Sequence, residues 1–207
     1  LHKEYRRQRQ MCIRDSSGKT APDYSATAFG TNRPGASFVK ASTMGMYWAK
    51  AMSGNGQTVL TLAKVADATT SRMWWVGATN DAEPTGGPIV YNSATGQMFI
   101  RRNGGTGSVA TAAGSLTAGN HIHRGSIGAS ATNATLKSVV DGGTVASSTA
   151  TTAGVTTTGL GIGGVGTDYA DITIGALIVF DTELSESDAH AWTQALATYA
   201  GVTIGAN

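Results

Sequence analysis

His121 and His123 stand two residues apart in a run that alternates like a β-strand. That spacing puts both imidazoles on one face, where they could offer two metal ligands. A third ligand would have to come from elsewhere, and no His-rich or carboxylate-rich partner strand is evident. Partly exposed histidines on a sheet face are the commoner outcome. Asp168 and Asp171 bracket Tyr169-Ala170. Their carboxylates with backbone carbonyls could hold Ca²⁺, a hard cation that wants oxygen ligands, and this is the one cofactor the sequence leaves open. Two aspartates in a turn more often bond their own backbone. Trp74 and Trp75 are adjacent, so on a regular strand they point to opposite sides. One then fills a core. The other could line the second face of the sheet, where an aromatic plane stacks on the C–H face of a sugar ring, with Tyr91, Arg101 and Tyr169 adding contacts. A second packed layer over that face is the alternative.

Other chemistries find no support. Serines are many, but no G-x-S-x-G elbow presents a nucleophile. Gly161-Ile162-Gly163-Gly164 is followed by no helix whose N-terminus could cradle a phosphate, and it reads as a strand with a close backbone approach. The single cysteine, Cys12, falls in "RQRQMCIRDSS". Met11 to Ser16 back-translates as ATG TGT ATA AGA GAC AG followed by C or T, which resembles the transposon end sequence used in preparing sequencing libraries. Residues 1–16 are therefore read as a non-native leader and excluded from fold reasoning.

Removing the leader changes the charge argument. It holds five of the 15 Lys/Arg and two of the 13 Asp/Glu, so the body carries ten basic and eleven acidic residues. With only Arg101-Arg102 adjacent, no basic footprint for nucleic acid remains. Without cysteine the body has no disulfide framework, thiolate zinc site or cysteine nucleophile. No apolar run approaches the ~20 residues of a membrane span, so no membrane insertion is expected. The native N-terminal part would be missing, and it could carry a homo-oligomer contact. Residues 17–207 fit one domain large enough to bury a core.

Charged residues make up 14% of the chain, against about 25% typically, so order must be decided from periodicity. It favours β. Met44, Met46 and Trp48 alternate up to the turn signal at Ser53 to Gly56, and "QTVLTLAKV" alternates after it, so the two read as a hairpin. "SRMWWVGA" is a short strand, and "PIVYN" and "QMFIRR" pair around Ser93 to Gly96. "GNHIHRGSI" precedes a hairpin turning at Asp141-Gly142, and "GLGIGGVG" and "ADITIGALIVFD" supply the last strands. "VATAAGSLTAG" and "SSTATTAGVTTTG" read as surface loops. One helix closes the chain: Ser185 caps it, Asp188 completes a capping box, Gly201 stops it, and Trp192, Leu196 and Tyr199 form its apolar face. The fold class is all-β, an antiparallel two-sheet jelly-roll sandwich with one short C-terminal α-helix.

Ile178-Val179-Phe180-Asp181, Leu184-Ser185-Glu186 and Tyr199-Ala200-Gly201 together resemble the closing strand and helix of concanavalin A-like domains of the laminin G-like type. The strand, Asp-Gly turn and Ile-Gly-Gly pieces upstream agree in order, so the resemblance covers about Phe38 to Ile204. It departs where the family often has Trp-His-His, because this chain has Asn120-His121-Ile122-His123. The resemblance implies that the loop of Asp168 and Asp171 lies at the sandwich edge. Its catalytic relatives, the laminarinase-type glycoside hydrolases, carry closely spaced carboxylates on one strand, about 5 to 5.5 Å apart for retaining chemistry. Here the body has only Glu83, Glu183 and Glu186, none paired on a strand. The expectation is a non-catalytic recognition module that binds a glycan or cell-surface polysaccharide. It would belong to a larger virion, phage-tail or bacterial extracellular protein. A purely structural domain without a ligand is the alternative, and a glycoside hydrolase ranks below both.

Overall fold

Val, Leu and Thr crowd the stretch that becomes β4 (Gln57–Val65), which pairs along its whole length with β9 (Gly119–Ile127), from Gln57 opposite Ile127 to Val65 opposite Gly119. Apolar and β-branched residues suit a strand buried on both faces. The computed structural model describes residues 20–68, 72–79, 84, 86–102, 107–165 and 168–205. Residues 1–16, expected to be a leader, and Glu83 lie outside the described residues, as do the side chains of Arg72, Met73, Asp168 and Tyr169.

With strands numbered in chain order, the β4–β9 ladder is the centre of a seven-stranded sheet. On one side stand β15 (Ile172–Phe180), β2 (Gly35–Phe38) and β1 (Asp23–Ser25); on the other, β10 (Ala134–Val140) and β11 (Ala146–Ala150). A six-stranded sheet faces it, in the order β3 (Met46–Trp48), β12 (Gly159–Ile162), β5 (Arg72–Ala78), β6 (Pro88–Asn92), β7 (Met98–Arg102) and β8 (Ser108–Ala110). A small hairpin joins β13 (Gly164–Val165) to β14 (Asp168–Tyr169). The named strand pairings are all antiparallel. This is the jelly-roll sandwich expected from the sequence.

Alternation sorts the side chains. Val59, Ala63 and Val65 of β4 meet Trp75, Val90, Ile100 and Leu160 between the sheets, while Leu60 and Leu62 point the other way. There they pack with Ile122, Phe29 and the helix α1 (Glu186–Ala200). The expected caps form: the Ser185 side chain accepts from the Asp188 N–H at 3.2 Å, and Gly201 takes the left-handed conformation at φ 67°. The docking face differs from the expected one. Ala189, Thr193, Leu196, Ala197 and Ala200 are buried, whereas Trp192 and Tyr199 remain 44% and 40% exposed. Small side chains let the helix lie close to the sheet, which moves the large rings to its flanks. Trp192 tilts against Phe180 at 5.3 Å, and Tyr199 lies under the Arg33 guanidinium at 5.9 Å.

Two further expectations change. The β3–β4 hairpin does not form, because these strands lie in different sheets and the Ser53 to Gly56 turn carries the chain between them. Long-range partners fix that crossing: Met52 and Thr157 exchange backbone hydrogen bonds, and the Gly56 N–H donates to Gly128 O at 2.9 Å. Val109 and Ala110, at the start of the segment read as a loop, belong to strand β8. The Asp141-Gly142 turn is as expected, with both residues at positive φ, 50° and 64°.

Candidate ligand-binding face

With α1 packed on the outer side of the seven-stranded sheet, the outer side of the six-stranded sheet is where side chains could meet a ligand. Cross-strand pairing defines that face: Tyr47 lies opposite Gly161, Gly161 opposite Val76, Val76 opposite Ile89, and Ile89 opposite Arg101. Val76, Ala78 and Ile89 are buried there as a small apolar cluster against which Tyr47 and Tyr91 pack. Tyr47 occupies the space over β12, so a Cβ on Gly159 would fall 2.0 Å from its hydroxyl. That hydroxyl is 3.2 Å from Thr158 Oγ1.

The next pair along the β6–β7 hairpin is Tyr91 opposite Phe99. Their half-buried rings stack at 4.9 Å and 12°. Arg101, two residues beyond Phe99, sets its Cζ 5.1 Å from the Tyr91 ring centre. The Arg101 Nε–H is shielded from solvent and has no acceptor among the described residues. The structure thus brings together two of the residues expected to form a site, Tyr91 and Arg101, and adds Phe99 and Tyr47.

Trp74 and Trp75 correct the expectation that one of them lines this face: they are 0% and 1% exposed, and both belong to the core between the sheets. The cause is a break in the β5–β6 register, where Met73 pairs with Tyr91 but Trp75 pairs with Val90, leaving Trp74 as an extra residue. Such a bulge suspends alternation, so neighbouring side chains turn to the same side. Trp74 Nε1 donates to Asn92 Oδ1 at 3.1 Å.

His121 and His123 share a face as expected, but that face is the interior and both are buried. His123 Nε2 donates to Ser138 Oγ at 2.9 Å, and that hydroxyl donates to Met98 O at 3.1 Å. Burial, reinforced by the charge of Arg124, pushes the His123 pKa down to about 3, so the ring is neutral. His121 Nδ1 is 2.7 Å from Asp141 Oδ2, and its Nε2 is 3.0 Å from Thr117 O. Among the described residues, no group of three or more His, Cys, Asp or Glu could hold a metal. The Asp168 and Tyr169 side chains lie outside the described residues. Asp171 is half-exposed at the start of β15, where it lines a cleft of about 350 Å³ with Ser37, Lys64 and Thr173, not the Tyr91–Arg101 face.

A larger cleft of about 470 Å³ opens between the sheets beside Met46, Trp48, Ile162 and Leu177, and among the described residues no charged side chain lines it. Size alone would nominate it, but binding sites also need placed polar groups. Glu183 and Glu186 are committed elsewhere. Lys137 Nζ bridges them at 2.9 and 3.1 Å, and Arg124 reaches Glu186 at 2.6 Å. Burial alone would raise the Glu186 carboxyl, but hydrogen bonds and charge from Lys137 and Arg124 together hold it below its ordinary value. These contacts pin the start of α1 to the sheet.

Sequence reasoning passed over Arg102. It follows Met98 and Ile100 on the inward side of β7 and is fully buried. Its guanidinium donates to Gly54 O, Ala131 O, Thr152 O, Ser130 O and Asn55 Oδ1 at 2.6 to 2.9 Å. It therefore ties three loops with no carboxylate partner among the described residues, and burial lowers its pKa. An arginine at an inward position of an apolar alternation was the available signal.

No protein-family model and no curated protein matches this sequence. Among solved structures, the chain is similar to the binding domain of botulinum neurotoxin serotype D, with TM-score 0.59 and 12% identity over 87% of this chain and 47% of that one. Domains LG4-5 of the mouse laminin alpha1 chain give TM-score 0.56 and 14% identity over 81% of this chain and 45% of that one. The native heptameric SAP-like pentraxin of Limulus polyphemus gives 0.55 and 10%, over 70% and 72%. The chain spans somewhat under half the length of the toxin and laminin chains it matches. At such identities the likeness is one of fold, the concanavalin A-like jelly roll.

Proposed function

We propose that this chain is a non-catalytic recognition module that binds carbohydrate on the outer face of its six-stranded sheet, as part of a longer protein at a virion or cell surface. The observation that carries the reading is the half-exposed Tyr91–Phe99 stack with Arg101 beside it, on the sheet face opposite the helix-covered one. Aromatic rings on a rigid sheet cost little entropy to present and offer an apolar plane to the C–H face of a sugar. The commitment of Glu183 and Glu186 to the helix anchor supports a non-catalytic role. A longer parent protein is in keeping with the match to parts of longer chains.

The test is binding of the intact chain to a glycan array and to soluble polysaccharides, followed by Tyr91→Ala and Phe99→Ala. Each replacement should weaken binding tenfold or more, about 1.4 kcal/mol, while the melting temperature stays close to that of the wild type. No binding to any glycan would leave the purely structural domain as the better reading. Binding that survives both replacements would move the site to another surface.

A further inference from the structure

We infer that the Tyr91–Phe99–Arg101 face selects carboxylate-bearing sugars, so that its ligand is a uronic- or sialic-type acidic glycan and not a neutral one. The inference rests on the carbohydrate reading above and adds a sign of charge to it. Across the six strands of this sheet the charged residues are Arg72, Arg101 and Arg102, and there is no Asp or Glu. Glu183, Glu186 and Asp188 belong to the helix side of the molecule, and Asp181 is paired with Lys50 beyond the end of β3. Asp81 and Glu83, in the β5–β6 connection, lie outside the described residues.

Of the three arginines, Arg102 is turned inward and its donors are taken by loop oxygens. Arg101 is turned outward, half-exposed, and is ion-paired with no carboxylate among the described residues. With Cζ 5.1 Å from the Tyr91 ring centre, the guanidinium is attracted to the face of the ring, a contact that takes up no hydrogen-bond acceptor. A carboxylate accepting from the two terminal Nη–H groups, which unlike Nε are not shielded, would take the end-on bidentate geometry arginine favours. An acidic sugar presents such a carboxylate together with an apolar C–H face, which matches an arginine set beside two stacked rings. Among the described side chains of this sheet Arg101 is the outward arginine, and one is too little for a nucleic-acid backbone, which needs several phosphate contacts.

The experiment measures binding of the full chain to polygalacturonate, dextran, dextran sulfate and poly-glutamate. Polygalacturonate should bind at least tenfold more tightly than dextran, with the advantage shrinking in 0.5 M salt. In Arg101→Gln the ratio of the two affinities should fall towards one. In Arg101→Lys, which keeps the charge but loses the planar fork, preference for carboxylate over sulfate should disappear. Equal binding of dextran and polygalacturonate, or an acidic preference that survives Arg101→Gln in a folded protein, overturns the inference while leaving carbohydrate binding in place. Dextran sulfate or poly-glutamate binding as tightly as polygalacturonate overturns it too, since charge alone would then suffice. If none of the three polysaccharides binds while the glycan array shows binding only to neutral glycans, this inference falls and carbohydrate binding stands; if the array is also blank, both fall.

Discussion

His123 is neutral inside the protein, and this sets a pH dependence. Its folded pKa of about 3 lies below the ordinary 6.5, so the unfolded chain takes up a proton that the folded one refuses. Its contribution to stability is complete above pH 6.5 and declines as the pH falls towards 3, by up to about 1.4 kcal/mol per pH unit. Denaturant melts from pH 7 to pH 4 should show this decline, and His123→Gln, which keeps a donor for Ser138 but cannot titrate, should flatten it. An unchanged slope in that variant would assign the acid sensitivity to carboxylates instead. At this scale the site was half legible. Tyr91 and Arg101 stand on a regular hairpin, where alternation holds; Phe99, opposite Tyr91 on the same face, was passed over although that alternation places it there. Trp74 and Trp75 could not be placed, because a bulge is set by how many residues the partner strand supplies, and nothing at the two tryptophans marks it.

The helix illustrates the difference between recognising an element and orienting it. Ser185, Asp188 and Gly201 state its ends in residue types that act locally. Its buried face was misjudged because three of the five buried residues are alanines, which carry little weight in a hydrophobic pattern. Replacing Trp192, which is 44% exposed, should therefore cost only about 1 kcal/mol, whereas Leu196→Ala should cost about 2–4 kcal/mol in a chemical melt. The reverse order would mean that the large rings carry the docking. Acid should also loosen the element. Because Glu186 is held below its ordinary 4.5, its tie to Lys137 and Arg124 is intact above that pH and is lost as the pH drops through the lower folded value. Amide exchange within α1 should then accelerate in acid ahead of exchange in β4 and β9. Uniform protection of helix and sheet would contradict this.

For the whole molecule, composition and strand spacing gave the sandwich, but strand partners could not be read locally. The Ser53 to Gly56 stretch has the composition of a hairpin turn, yet it crosses between sheets, because Thr157 and Gly128, about 100 and 70 residues away, hold its two ends. Arg102 does the same for three loops at once. Arg102→Met would leave up to five oxygens without their donor, so a loss on the order of 3 kcal/mol or more is expected. Exchange should speed up at residues 54–55, 130–131 and 152 together. If one loop loosened alone, the arginine would not be their common tie. The three loops therefore share one fastening and cannot drift apart as separate variable regions. An insertion that displaced the carbonyl of Thr152 would disturb Gly54 and Ser130 as well, so diversity grafted onto this rim must leave all of the guanidinium's acceptors where they are.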